Sequence, residues 1–149
     1  MMFELTSTAF AAGEPIPAKY TCDGANVSPP LSWGEPPAGT QSLALIMDDP
    51  DAPAGVWDHW LLFNIPADLR HLPERAGTPA GSVDGKNSWG RTGYGGPCPP
   101  RGTHRYFFKL YALDTKLDLP AGANKSQLLR VMEGHILAQA ELMAVYSRK

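Results

Sequence analysis

Short, dense apolar blocks separated by turn-forming residues set the character of this chain. Ser42-Leu43-Ala44-Leu45-Ile46-Met47 runs without a charge and stops abruptly at Asp48-Asp49-Pro50. Such a run, bounded by turn residues, predicts a buried strand. Trp60-Leu61-Leu62-Phe63-Asn64-Ile65 ends at Pro66 and predicts a second. Arg105 to Leu113 is aromatic-rich and predicts a long central strand. With so few charges, all three are expected to be covered on both faces.

One segment carries a helical period. From about Ser126 to Glu141, Leu128, Met132, Ile136 and Ala140 recur at every fourth position, and Leu129, Val131 and Leu137 widen the stripe. Asn124 with Gln127 three residues on resembles a capping box. Gly134 inside this helix implies close packing against a neighbour, since it costs about 1 kcal/mol against alanine. Leu142 to Tyr146 is expected to return as a final strand. Residues 70–96 are rich in Gly, Pro, Ser and Asn with little periodicity, and a loop of that length usually serves a function.

Composition narrows the class. The chain has 149 residues, 43% of them hydrophobic, which suits one folded domain over residues 1–149. Fifteen glycines and fifteen prolines speak against a helix bundle. A net charge of -2 disfavours nucleic acid, which normally demands a basic face. No apolar run reaches the ~20 residues of a membrane span, and no secretory leader is visible, so a cytoplasmic protein is expected. On that premise Cys22 and Cys98 are expected as free thiols; a bridge requires their Cα atoms to come within about 7 Å.

Functional side chains gather in two places beside strands. The first is Asp48-Asp49-Pro50-Asp51-Ala52-Pro53 with Trp57-Asp58-His59-Trp60, and the second is Tyr94 to Gly102 followed by His104-Arg105-Tyr106. Loops at strand ends are where a rigid sheet displays binding groups. Taken singly, Asp49 and Asp51 read as turn formers, and His59 and His104 as hydrogen-bonded structural histidines. His71 reads as solvated and His135 as a packing or capping residue.

Taken together, these stretches resemble the phosphatidylethanolamine-binding proteins, also called Raf kinase inhibitor-like proteins. The resemblance rests on Asp49-Pro50-Asp51-Ala52-Pro53, His59-Trp60, and Gly96-Pro97-Cys98-Pro99-Pro100-Arg101-Gly102-Thr103-His104-Arg105-Tyr106. Tyr20-Thr21-Cys22-Asp23-Gly24, Ser28-Pro29-Pro30-Leu31-Ser32-Trp33 and Met132-Glu133-Gly134-His135 look like the bacterial and archaeal branch. The resemblance implies a mainly β fold, a large antiparallel Greek-key sheet packed with a smaller sheet and peripheral helices. It also implies an anion pocket lined by Asp49, Asp51, Pro53, Trp57, His59, Gly96, Pro100, His104 and Tyr106. The Ala52-Pro53 bond becomes a cis candidate. The chain ends soon after Tyr146, where eukaryotic members continue over the pocket mouth, so a more open site is expected.

Carboxylates are a poor way to attract an anion: like charges 4 Å apart repel by about 4 kcal/mol at an effective dielectric of 20. Donors must come from the His59 and His104 imidazoles and from the backbone N–H groups of Gly95 and Gly96. One aspartate would orient a histidine and the other would hold an ammonium, as suits phosphoethanolamine. The function implied is non-catalytic binding of a small phosphorylated or zwitterionic group without a cofactor, with a kinase or protease as a possible partner and homodimerisation in view. Two alternatives stay open: a zinc enzyme built on His59, His104 and an Asp, and a loop-mediated protease or kinase inhibitor.

Overall fold

The computed structural model describes residues 3–148. In chain order the elements are β1 (Leu5–Thr6), a 3-10 turn (Ala18–Tyr20), β2 (Leu31–Trp33), β3 (Ser42–Asp49), β4 (Trp57–Pro66), β5 (His71–Leu72), β6 (Val83–Asp84), β7 (Thr103–Leu113), α1 (Lys125–Met132) and β8 (Ile136–Ser147). β3 is the middle of a five-stranded antiparallel sheet ordered β6-β4-β3-β7-β8, and β1-β2-β5 form a smaller antiparallel sheet. The three predicted strands are therefore the sheet's centre.

Alternation along β3 explains its burial on both faces. Leu43, Leu45 and Met47 join Leu31, Trp33 and Leu72 of the small sheet in one core, with Trp60 and Phe108. Ala44 and Ile46 join Leu61, Phe63, Leu113 and the α1 residues Leu128 and Met132 in the other. Each fully buried Leu or Phe contributes about 1.5–3 kcal/mol, so a central strand buried on both faces anchors the molecule.

The predicted helix is corrected. The capping box at Asn124 and Gln127 forms, but α1 ends at Met132. Gly134 then takes φ +83°, the left-handed conformation that ends helices. From Ile136 the chain is a strand paired along β7. A spacing of four fits both periods, because residues i and i+4 also share a strand face; Ala140 and Ala144 pack in the sheet core with Leu142 between them. Gly134 is needed for the turn and not for packing, since a Cβ there would meet nothing within 4 Å. Gly134→Ala is expected to cost about 1 kcal/mol through left-handed strain alone, read as a lower urea midpoint at unchanged slope.

Three smaller expectations also meet the structure. Residues 70–96 include β5 and β6 and are pinned to β4 by Gly85 N–H to the Leu61 carbonyl (2.9 Å) and Ser88 N–H to the Asp58 carbonyl (2.8 Å). His71 is exposed, as expected; His135 caps α1 through its backbone N–H to the Met132 carbonyl (2.9 Å), while its ring pairs with Asp114 at 2.7 Å. No cis peptide bond occurs among the described residues, so Ala52-Pro53 is trans.

Cys22 and Cys98 are not free: they form a disulfide, with Cα atoms 5.4 Å apart. The fold lays the 3-10 turn against the Pro97 loop, where Cys22 N–H donates to the Pro97 carbonyl (3.1 Å) and Tyr94 Oη to the Tyr20 carbonyl (2.8 Å). Residues 76 positions apart thereby become neighbours.

Candidate functional site

An irregularity in the β3–β4 ladder builds the site. Met47 pairs with Trp60, but the next pair is Asp48 with Asp58, which leaves His59 as an extra residue on β4. Such a bulge re-aims side chains. Asp58 reaches Lys125 of α1 at 2.7 Å, on the helix side of the sheet with Asp48. His59 and Trp57 come to the opposite face, where Asp49 ends β3 and His104 and Tyr106 project two residues apart from β7. All five line one cavity of about 250 Å³, with Ala52, Pro53, Trp89, Cys98, Pro99 and Pro100 completing its wall.

Both imidazoles are held by Nδ1. His104 Nδ1 lies 2.7 Å from Asp49 Oδ2, with both side chains buried. The other oxygen, Asp49 Oδ1, accepts from the Asp51 backbone N–H at 2.7 Å. His59 Nδ1 lies 2.7 Å from the Gly95 carbonyl, and Gly95 N–H returns a bond to the His59 carbonyl at 3.0 Å. A carbonyl and a carboxylate only accept, so Nδ1 carries the proton on each ring and Nε2 is left for the cavity. Burial holds the His59 pKa below its ordinary value, partly opposed by the Gly95 carbonyl. Its Nε2 is therefore a bare acceptor near neutral pH.

Two more polar groups in the wall have no protein partner. The Tyr106 hydroxyl and the Trp57 indole Nε1 are buried without a hydrogen bond among the described residues. Burial, then the nearby Asp49 carboxylate, drives the Tyr106 pKa up, so it remains a neutral donor. Buried polar groups are ordinarily satisfied, so two such groups on residues of one cavity wall set this region apart from the rest of the core. Aromatic edges fix the wall: His59 meets Trp89 at 5.0 Å and Tyr106 at 5.3 Å, both near perpendicular.

Of the predicted residues, Asp49, Pro53, Trp57, His59, Pro100, His104 and Tyr106 share the cavity, and three do not. Asp51 is taken by Arg105, whose backbone N–H and Nε reach Oδ2 at 2.9 Å and whose Nη2 reaches Oδ1 at 2.8 Å. That fork holds the Asp51 pKa down to about 2, and no carboxylate remains free for an ammonium. The Gly95 and Gly96 amides are also spent, on the His59 carbonyl and on Asn26 Oδ1 (2.8 Å). They are glycines because a Cβ would strike the Trp89 ring at Gly95 and the Tyr20 carbonyl at Gly96. The zinc alternative finds no donor set: no group of three or more His, Cys, Asp or Glu side chains is placed to share an ion among the described residues.

Sequence reasoning missed Trp89 and the residue that positions it. Asn87 Oδ1 accepts from the N–H groups of Trp89 (3.0 Å) and Arg91 (3.2 Å), while its Nδ2 donates to the Gly93 carbonyl (3.1 Å). A tryptophan in an otherwise polar, glycine-rich loop was the signal available.

Residues 6–147 match the family model described as phosphatidylethanolamine-binding protein. The chain belongs to this family. It is 55% identical to a UPF0098 protein of Methanothermobacter thermautotrophicus, over 97% of this chain and 98% of that protein. A UPF0098 protein of Aquifex aeolicus is 48% identical, over 99% and 90% of the two chains. Among solved structures, YbcL of E. coli, described as a member of the mammalian PEBP family, superposes with a TM-score of 0.93 at 36% identity, each chain covered in full. This family member thus shares the mainly β architecture of its solved relatives. No helix among its described residues is long and apolar enough to cross a membrane.

Proposed function

We propose that this protein binds a small phosphate-bearing group in the cavity between His59 and His104, without turning it over. The observation that carries the reading is the convergence of two anchored imidazoles in one aromatic and proline-lined cavity. Each keeps its Nε2 free because Nδ1 is already bonded, and the wall residues Tyr106 and Trp57 carry a buried hydroxyl and indole N–H behind them. The wall has no Ser or Thr, and its Cys98 is tied in a disulfide, so the Asp49–His104 pair has no hydroxyl or thiol of those residue types beside it, which supports binding without turnover. With Asp51 held by Arg105, a zwitterion gains nothing from its ammonium, and phosphate itself is the recognised feature. Modulation of a kinase or protease and homodimerisation rest on the family resemblance and on no feature of this chain. A cytoplasmic address suits this role only if the Cys22–Cys98 bridge resists thiol reductants, because reducing compartments keep such pairs apart.

Proton linkage tests the reading. His59 must gain a proton before its Nε2 can donate, and its pKa starts low. Sulfate stays dianionic between pH 8 and pH 6 and brings no proton of its own. Its affinity is expected to rise as pH falls across that range, with about one proton taken up per anion in calorimetry, and His59→Gln should flatten the profile. Without ligand the sign reverses for folding: the unfolded chain binds this proton more readily, so stability falls as pH drops below the ordinary imidazole range. Phosphate and sulfate that leave both imidazole resonances unmoved at millimolar concentration would rule the site out.

A further inference from the structure

A second cavity, of about 330 Å³, lies beside the first and shares two walls with it, Trp89 and Cys98. Its lining contains Asn26, Asn87, Arg91 and Thr92 and no Asp or Glu. The Arg91 guanidinium is exposed and makes no ion pair or side-chain hydrogen bond among the described residues, unlike Arg105 and Arg148, which are tied to Asp51 and Asp23. Asn26 spends its Oδ1 on Gly96 N–H, and its Nδ2 donates to nothing described.

The loop is built to hold this arrangement. Asn87 is buried, at 6% exposure, and its single Oδ1 fixes both the Trp89 and the Arg91 backbone. One residue therefore sets an aromatic partition and a cation two positions apart. Trp89 stands perpendicular to His59 on one side and covers Gly95 on the other, where any Cβ would collide with it. Donors without acceptors, an unpaired cation and a shared aromatic wall define a surface complementary to negative charge.

We propose that this cavity is a second subsite, which takes an anionic group, a carboxylate or a second phosphoryl, of a small ligand whose phosphate sits between His59 and His104. The proposal rests on the phosphate reading above and names the class of ligand: a phosphoester carrying a second anion, not an alkylammonium or a bare apolar tail. Three probes test it by calorimetry: inorganic phosphate, glycerol 3-phosphate and 3-phosphoglycerate. The first has no substituent on the phosphate, the second carries a neutral diol and the third adds a carboxylate.

The wild-type protein is expected to bind 3-phosphoglycerate at least about five-fold more tightly than glycerol 3-phosphate, the size of a partly exposed charge pair. Arg91→Ala should erase that preference and Arg91→Lys restore part of it, while both leave inorganic phosphate unchanged. Arg91 is exposed and anchors the loop through its backbone, so these variants keep the fold. Equal affinities in the wild type, or a preference that survives Arg91→Ala, overturn the subsite and leave the phosphate pocket standing. Failure of all three probes, inorganic phosphate included, removes both.

Discussion

Cys98→Ser is expected to lower stability by about 4 kcal/mol, the loop-closure entropy lost when a bridge between residues 76 positions apart is removed. For a chain of this length that is a fall in Tm of roughly 10 °C. Cys22→Ser should match it, and the double variant should be no worse than either, because the three share one missing bond. Reducing the wild type with dithiothreitol should reproduce the loss. Single variants within about 1 kcal/mol of the wild type would show that the unfolded chain is not meaningfully constrained. Both sulfurs belong to exposed residues, so a reductant can reach them. Alkylation of the protein inside its own cells, before lysis, decides whether the bridge persists there: labelled cysteines mean it is open in that compartment.

The free-thiol expectation failed for a reason local sequence cannot reveal. It was drawn from compartment, whereas the pairing is set by how the 3-10 turn meets the Pro97 loop. The central strands were legible because β3 and most of β4 are apolar on both faces; β7 was legible from its aromatic run, but one face of its first half carries the exposed Thr103 and Arg105 and the half-buried Lys109, against the expectation of cover on both faces. β8 was half hidden because alanines and leucines four apart satisfy a helix as well as a strand, and only the left-handed Gly134 separates the two. In the site, His59, His104 and Asp49 were visible as residue types. The bulge that turns His59 toward Asp49 depends on register against β3, a property of the pair of strands. Asp51 shows the same limit: its partner Arg105 lies 54 residues away, and their fork exists only once β7 lies beside β3.

Asp49→Asn is expected to weaken phosphate and sulfate binding by ten-fold or more, although it removes a negative charge from the wall of an anion site. Two effects compete. The carboxylate repels a bound anion, and it accepts from His104 Nδ1 at 2.7 Å, which fixes and polarises the ring. A positive charge roughly 3 Å from an anion gains about 5 kcal/mol at an effective dielectric of 20, whereas a negative one roughly 6 Å from it costs about 3 kcal/mol, so the nearer end of a dipole dominates. The carboxylate-backed imidazole thus turns the positive end of a dipole toward the ligand, and its net attraction exceeds that of an amide–imidazole pair. Asparagine has one carbonyl oxygen, which can still accept the Nδ1 proton of His104, while its amide nitrogen leaves the Asp51 N–H without the acceptor it has in the wild type. Asp49→Ala would leave a buried imidazole N–H unpaired and lose about 1–3 kcal/mol of stability. Calorimetry on Asp49→Asn at pH 6 reads the balance directly. Tighter anion binding in that variant would mean that repulsion dominates and that Asp49 only fixes the His104 ring.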